Sequence, residues 1–240
     1  MLQRAREKAP FLRLLLHMKF QPTFDMSSNP RNVYIIGAQC TGKTTLVTAL
    51  TEHFTSLANQ QASTEAATSS SEINPPAGQP YIIREVARSV LKEYAFTAAE
   101  IRDSPSRALE LQQLILRAQV EAETKALNTA SWFISDRSGL DPMIYAEMYV
   151  GREATEQMLA GEDWKACQQS LSKALIVVCE PGAPWLYDDG TRLMPLDETE
   201  WTTTHETFCR FLDKLELSYL VARKELMNMR DRVQLILSNI

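Results

Sequence analysis

The chain has 240 residues, of which 45% are hydrophobic and 23% are charged, and its formal net charge is −5. This composition is typical of a soluble globular protein with one α/β domain, and no apolar run reaches the roughly 20 residues of a membrane-spanning helix. Residues 1–31 carry a balance of +4 and the remainder −9. An acidic body of this kind argues against a nucleic-acid-binding protein.

The basic N-terminal segment, residues 1–31, is predicted to be an extension of the domain. Its basic residues are interleaved with apolar ones: Arg4, Arg6, Lys8 and Arg13 with Leu2, Phe11, Leu12 and Leu14–Leu16. This pattern is typical of mitochondrial presequences and of helices that lie on a membrane surface. A disordered extension without a targeting role is the alternative. Four cysteines without a CxxC pair or zinc spacing favour a reduced, cytoplasmic chain. A mitochondrial location and a membrane contact through residues 1–20 stay open.

From residue 32 onward, apolar runs alternate with helical patterns, which predicts a parallel sheet flanked by helices. The predicted strands cover residues 33–36, 81–83, 132–134, 174–179 and, more weakly, 219–221. The predicted helices cover residues 43–54, 85–94, 104–127 and 229–237. At helical spacing, the third helix carries Leu109, Gln113, Leu116, Val120 and Leu127.

Residues 56–80 interrupt this alternation. They are rich in Ser, Thr, Ala and Gln, lack aromatic residues and end close to Pro-Pro-Ala-Gly. Such a stretch cannot bury enough apolar surface to offset the entropy lost on ordering. It is therefore predicted to be a flexible low-complexity insertion within a single domain of residues 32–240.

A loop between the first strand and the first helix matches the phosphate-binding Walker A motif GxxxxGK[ST] at each fixed position. Its backbone amides can point inward at a polyphosphate, and its glycines permit the backbone angles that this requires. Lys43 would place an ammonium on the β- and γ-phosphates, and Thr44 would offer a hydroxyl to magnesium. The predicted nucleotide-binding residues are Gly37, Ala38, Gln39, Cys40, Thr41, Gly42, Lys43, Thr44 and Thr45.

Phosphoryl transfer also needs a carboxylate for the metal ion and positive charge near the transferred group. Asp136 follows the third predicted strand, where it can share a magnesium ion with Thr44; a helix cap is the alternative role. Glu85 follows the second strand, on the side of an acceptor, where it could take up a hydroxyl proton. Its alternative is a surface salt bridge with Arg88, three residues further along the helix.

Residues 188–192 read Asp-Asp-Gly-Thr-Arg and follow the fourth strand after a loop rich in Pro and Trp. A glycine-containing loop with one arginine suits a lid over a nucleotide, and Arg192 could neutralise the transition state there. An ordinary turn is the alternative.

Together these motifs resemble the NadR-like AAA-domain P-loop family. That family includes the ribosylnicotinamide-kinase domain of the bacterial NAD regulator and an animal GTP- and phosphoinositide-binding trafficking protein. The matching text covers about residues 32–235 and reads VYIIGAQCTGKTTL, IIREVARSVL, FISDRSGLDPMIYA and DDGTRL. The resemblance implies a nucleoside-kinase-like P-loop fold with a five-stranded parallel sheet of order 2-3-1-4-5.

The resemblance also implies roles for single residues. Asp136 would serve magnesium and Arg137 the phosphates, while Asp141 and Tyr145 would shape the acceptor pocket. Residues 95–130 contain no pattern that points to a particular acceptor. The catalytic residues expected from motif and resemblance together are Lys43, Glu85, Asp136, Arg137 and Arg192, with Thr44 and Asp136 as the metal ligands.

These observations favour a magnesium-dependent kinase that transfers a phosphoryl group from ATP to a small nucleoside-like molecule. The alternative is a nucleotide-gated protein that binds a membrane lipid or a protein partner in response to ATP or GTP. No guanine-recognition motif of the NKxD type is present, and the choice between ATP and GTP stays open. A ring-forming ATPase is disfavoured because no second helical subdomain follows the domain.

Overall fold

The computed structural model of the protein describes residues 31–65, 78–182 and 197–240, and its centre is a parallel β-sheet. The strand order is β2-β3-β1-β4-β5, which confirms the fold class and the sheet order expected from the sequence. The strands are β1 (Val33–Ile36), β2 (Tyr81–Ile83), β3 (Phe133–Asp136), β4 (Leu175–Cys179) and β5 (Tyr219–Ala222).

Helices connect the strands and cover both faces of the sheet. Within the described ranges they are α1 (Lys43–Glu65), α2 (Val86–Glu93), α3 (Ala98–Asp103), α4 (Pro105–Thr129), α5 (Leu140–Tyr149), α6 (Arg152–Leu159), α7 (Glu162–Leu171), α8 (Glu198–Lys214) and α9 (Met229–Leu237). The sequence predicted α1, α2, α4 and α9 but not the other helices. No helix of the described residues combines the length and the apolar character needed to span a membrane.

Side chains of β1 alternate between two hydrophobic cores, one on each face of the sheet. Val33 and Ile35 pack with residues of α1 and α9. Tyr34 and Ile36 pack with residues of α4, α5, α7 and α8. Because β1 is fully buried on both faces, its residues are apolar throughout, as expected for a central parallel strand.

The strand register brings the chemically important chain segments to one edge of the sheet. Ile35 is paired with Asp136, so the loop that follows β1 begins beside the end of β3. Ile83 is paired with Ser135, so the chain that leaves β2 runs beside the chain that leaves β3. Carboxyl ends of parallel strands meet at a common edge, which is where ligands bind in open α/β sheets.

Two predictions about helices differ from the structure. Helix α1 does not end near residue 54 but continues to Glu65, so the first part of the proposed 56–80 insertion is helical. Its Ala, Gln and Leu residues favour a helix in spite of the low complexity. In α4, Gln112 and Gln119 lie on the buried face, whereas Gln113 and Leu127 are exposed.

Several expectations fall on parts of the chain outside the described residues. They concern the basic segment up to residue 30, the rest of the insertion between residues 66 and 77, and the loop of residues 188–192 with Arg192.

Candidate active site

The loop between β1 and α1 has the backbone of an anion cradle. Gly37, Cys40 and Gly42 have positive φ angles of 127°, 57° and 83°, conformations in which successive amides can converge on a bound anion. A Cβ atom at Gly37 would lie 2.7 Å from the carbonyl oxygen of Cys179 on β4. Glycine is therefore required at residue 37 both by its φ angle and by the neighbouring strand.

Lys43 folds back over this loop at the first turn of α1. Its ammonium donates to the carbonyl oxygens of Gly37, at 2.9 Å, and of Ala38, and it lies 3.4 Å from the hydroxyl of Thr41. Burial, together with the positive charge of Arg137, lowers the pKa of Lys43 to about 8. The Lys43 ammonium thus adds a positive charge at the N-terminus of α1, where the helix dipole already favours an anion.

Asp136 and Thr44 form the candidate metal site. The Thr44 hydroxyl donates to Asp136 Oδ2 at 2.6 Å, while Asp136 Oδ1 is buried and has no hydrogen-bond partner among the described residues. The N-cap residue of α5 is Gly139, so Asp136 is not the cap of that helix. One carboxylate, one hydroxyl and an unsatisfied oxygen fit a Mg²⁺ ion, which normally takes few protein ligands and completes its shell with phosphate and water. Consistent with that sparse set, the described residues contain no cluster of three or more His, Cys, Asp or Glu at metal-binding distance.

Arg137 stands between two carboxylates at the end of β3. Its Nε donates to Glu85 Oε1 at 2.5 Å and its Nη1 to Asp141 Oδ1 at 3.0 Å. Asp141 Oδ2 in turn accepts from the backbone amide and the hydroxyl of Ser138. The backbone of Arg137 has a φ of 83°, an angle that costs energy for a residue with a side chain and that is typical of functional sites.

Glu85 is held by two arginines, because its Oε2 also accepts from Arg88 Nε at 2.8 Å. Burial alone would raise the pKa of Glu85, but the charges of Arg137 and Lys43 and the hydrogen bond from Arg88 together lower it to about 2. The salt bridge with Arg88 and a position in the site are therefore both present. A carboxylate with so low a pKa is a weak base, which opposes the predicted role in deprotonating a hydroxyl.

Two cavities meet at the Glu85–Arg137 ion pair. The smaller, of about 30 Å³, is lined by the loop from Cys40 to Thr45 and by both members of the ion pair. The larger, of about 90 Å³, is lined by residues of α2, α3, α4 and α5, by Gln39 and by the same ion pair. We call the larger one the acceptor cavity. Glu85 and Arg137 have side chains that are 11% and 12% exposed, so they separate the two cavities while remaining accessible from each.

A tryptophan from α8 fixes the phosphate loop at this junction. Trp201 Nε1 donates to the backbone carbonyl of Gln39 at 2.8 Å, and the Gln39 side chain accepts from the Tyr145 hydroxyl at 2.7 Å. Tyr145 stacks on Tyr149, with ring planes 3° apart, and the Tyr149 hydroxyl donates to Glu200 at 3.0 Å. Helix α8, loop and α5 are thereby joined beside the acceptor cavity.

The structure brings most of the predicted site residues together. Lys43, Thr44, Glu85, Asp136 and Arg137 lie within one continuous site, while Arg192 is outside the described residues. Residues that the sequence did not single out are Gln112, Gln119, Tyr149, Glu200 and Trp201. Two of these residues could have been found from their spacing in the sequence. Gln112 and Gln119 lie seven residues, or two helical turns, apart among the buried apolar residues of α4.

Comparison with known proteins identifies a family that the chain matches and solved structures that have a similar fold. The model of a family described as "AAA domain" matches residues 32–230. Among solved structures, NadR protein in complex with NR matches at 21% identity with a TM-score of 0.57, and NadR protein in complex with NAD and AMP-PNP at 20% with a TM-score of 0.55. Each match covers 80% of this chain but only 45% and 44% of the NadR chains. This chain thus matches less than half the length of NadR, and at these identities the likeness is one of fold.

A shikimate kinase from Acinetobacter baumannii in complex with shikimate matches 88% of this chain and 94% of its own, at 13% identity and a TM-score of 0.42. A search of curated proteins gave no match.

Proposed function

This chain belongs to the AAA domain family, and we propose that it is a magnesium-dependent phosphotransferase that moves the γ-phosphoryl group of ATP to a hydroxyl of a small nucleoside-like acceptor. The observation that carries the proposal is the junction of two cavities at Glu85 and Arg137. The phosphate loop lines one cavity, and the other cavity opens on the same two side chains. A protein that only bound nucleotide would not need the second chamber.

The phosphate donor would occupy the loop. Backbone amides of residues 37–44 and the Lys43 ammonium would hold the β- and γ-phosphates, with Lys43 exchanging its carbonyl partners for phosphate oxygens. ATP is favoured as the donor because one of the NadR structures with this fold holds AMP-PNP, an analogue of ATP. The low pKa of Lys43 in this structure would rise once phosphate charge lies beside it.

Asp136 and Thr44 would hold the magnesium ion. The buried Asp136 Oδ1 without a partner and the adjacent Thr44 hydroxyl supply the oxygen ligands that Mg²⁺ prefers. When bound there, the ion would supply positive charge that neutralises the charge developing on the transferred phosphoryl group. Until then, the hydrogen bond between the two residues keeps both oxygens in place.

Arg137 and Glu85 would act at the transferred group. The Arg137 guanidinium borders both cavities, where it would stabilise the negative charge on the phosphoryl oxygens. Glu85 would accept a hydrogen bond from the acceptor hydroxyl and orient it. Orientation rather than deprotonation agrees with the pKa of about 2. In a loose transition state the bond from phosphorus to ADP breaks as the bond to the acceptor oxygen forms, and the hydroxyl proton would leave late, to an oxygen of the transferred phosphoryl group or to solvent.

The direct test is a screen of nucleosides for phosphorylation by radiolabelled ATP, with the Lys43→Ala variant as the blank. We expect transfer to at least one nucleoside by the wild-type protein, and a loss of about 10²–10³-fold in the variant. Lys173→Ala, which removes an exposed lysine, is the matched control and should behave as wild type.

Two outcomes would contradict the proposal. Transfer that survives in Lys43→Ala would mean that the activity does not use this loop. Tight binding of ATP without transfer to any tested acceptor would instead favour the nucleotide-gated binding protein.

A further inference from the structure

The acceptor cavity is lined by three glutamines whose side chains are almost completely buried. Gln39 is 4% exposed, Gln112 3% and Gln119 0%. In each of them one amide atom is without a hydrogen-bond partner in the part of the chain that the structure describes: Nε2 of Gln39, Oε1 of Gln112 and Oε1 of Gln119. A buried polar atom left unsatisfied costs about 1–3 kcal/mol, so three around one cavity call for an explanation.

Two of these amides are hydrogen bonded through their other atoms. Gln119 Nε2 donates to Glu123 Oε1 at 2.8 Å and to the Ser135 hydroxyl at 3.1 Å, which leaves its oxygen over. Gln39 Oε1 accepts from the Tyr145 hydroxyl, which leaves its NH₂ group over. The Gln119 oxygen and the Gln39 nitrogen, both enclosed in the lining of the cavity, are thus an acceptor and a donor without protein partners among the described residues, and the amide of Gln112 is a third polar group.

Apart from the hydroxyl groups of Ser138, Tyr145 and Tyr149, the remaining lining is apolar or balanced in charge. Apolar side chains come from Val86, Leu91, Ile101, Leu111, Ile115 and Pro142. The charged groups are two acids, Glu85 and Asp141, and two bases, Arg88 and Arg137. Arg137 is paired with both acids and Arg88 with Glu85, so the cavity has no excess of either sign to attract an ionic acceptor.

We propose that Gln39, Gln112 and Gln119 determine acceptor specificity by hydrogen bonding an uncharged, planar head group that carries both N–H donors and hydrogen-bond acceptors on its edge, such as a neutral nucleobase. This inference rests on the proposed function, because it assigns the head group of the acceptor in the same reaction. The apolar side chains would contact the faces of the ring, and the three amides would bond to its edge. The small volume, about 90 Å³, favours a compact ring.

Gln39 also connects the phosphate loop with the acceptor cavity. It is a residue of the phosphate loop, and its backbone carbonyl and its side chain are held by Trp201 and Tyr145. One residue of the loop thus reaches into the acceptor cavity, so the loop itself contributes to the choice of acceptor as well as to phosphate binding.

The test measures acceptor binding separately from transfer. Adenosine, guanosine, cytidine and uridine are titrated calorimetrically into the full chain saturated with AMP-PNP and magnesium. Shikimate, an anion, and ribosylnicotinamide, a cation, serve as charged comparators. The variant is Gln112→Met, which keeps the length of the side chain and removes its amide. Gln113→Met is the matched control, because Gln113 is the next residue of α4 and is exposed.

The expected result is that at least one neutral nucleoside binds more tightly than both charged compounds. Gln112→Met should weaken that binding about tenfold while the affinity for AMP-PNP stays unchanged, and Gln113→Met should bind as wild type does. A second substitution, Gln39→Met, should weaken the same nucleoside, so the result does not depend on one variant.

The inference is overturned if a charged compound binds best, if no neutral nucleoside binds, or if Gln112→Met binds as tightly as Gln113→Met. The parallel assay with radiolabelled ATP separates this failure from failure of the proposed function. Transfer only to a charged acceptor would leave the phosphotransferase standing and remove the specificity assignment. Glutamine-dependent binding of a nucleoside without transfer would support the assignment and contradict the phosphotransferase.

Discussion

The phosphate loop and the acceptor cavity meet at the Glu85–Arg137 ion pair, and they are built in different ways. The loop is a short run of consecutive residues whose backbone groups and one ammonium face inward. The cavity is assembled from side chains of four helices and one loop residue. Phosphate binding can therefore depend on one motif, whereas acceptor recognition depends on single side chains, most of them on helices outside the loop.

The largest effect is expected from Asp136→Ala, which should reduce phosphoryl transfer more than ATP binding. The variant removes the carboxylate that would hold magnesium, so we expect phosphoryl transfer to fall by about 10²–10³-fold. Binding of ATP should weaken less, because the loop amides and Lys43 remain, but it should lose its dependence on magnesium. Transfer assays and calorimetry over a magnesium series measure both quantities. Asp231→Ala, at an exposed aspartate, is the control; an Asp136→Ala variant with full activity would remove Asp136 from the mechanism.

The ion pair between the two regions predicts a pH dependence of stability. Glu85 has an ordinary pKa of 4.5 and a folded-state pKa of about 2, so the unfolded chain binds more protons between these values. Stability from Glu85 is therefore present above pH 4.5 and is lost as the pH falls toward 2, by roughly 3 kcal/mol in total. Urea unfolding across this range should show the loss in wild type and in Glu121→Gln, at an exposed residue. The loss should be smaller in Glu85→Gln, and identical pH profiles for all three proteins would contradict the ion pair.

A glycine substitution tests how closely the loop depends on its backbone. Gly37 and Gly151 have similar φ angles, 127° and 120°, but only at Gly37 would a Cβ meet a neighbouring strand. Alanine at either residue should lower the free energy of unfolding through backbone strain of about 1–3 kcal/mol, and Gly37→Ala should lose about 1–3 kcal/mol more through the clash. Chemical denaturation measures both variants. Equal losses would show that the contact with β4 does not constrain the loop.

The smallest effect concerns the contact between helix α8 and the loop. Trp201→Phe and Trp132→Phe each remove one indole hydrogen bond, from Trp201 to Gln39 and from Trp132 to Gly78. Trp201→Phe should reduce stability by about 1 kcal/mol, and Trp132→Phe by more, because Trp132 is fully buried and its replacement also leaves a cavity. Only Trp201→Phe should also reduce the affinity for AMP-PNP, by roughly three- to tenfold, because only its bond holds the phosphate loop. The same affinity in both variants would show that the α8 contact is structural alone.

The sequence predicted the phosphate loop better than it predicted the acceptor cavity. The loop, the five strands and the carboxylate at Asp136 were predictable, because each depends on residues that are adjacent in the chain or on a simple apolar pattern. The order of the strands came from the family resemblance. Helices α5 to α8 have no such short signature, and the apolar stripe of α4 was assigned to Gln113 instead of Gln112.

The acceptor side could not be predicted for a physical reason. Whether a glutamine on a helix is exposed or lines a cavity depends on which helices pack against it, and a shift of one residue moves a side chain by about 100° around the helix axis. The charge state of Glu85 could not be predicted for the same reason. Its basicity depends on Arg137, which lies 52 residues away in the chain and next to it in the fold.

The central claim is that the loop of residues 37–44 holds a magnesium-bound nucleoside triphosphate. Its most direct test is calorimetric titration of AMP-PNP into the full chain, with magnesium and with EDTA, for wild type, Lys43→Ala and Lys173→Ala. We expect one binding site in wild type and in Lys173→Ala, tighter with magnesium than with EDTA, and no measurable binding in Lys43→Ala. Binding that is the same with magnesium and with EDTA, or that persists in Lys43→Ala, would contradict the claim.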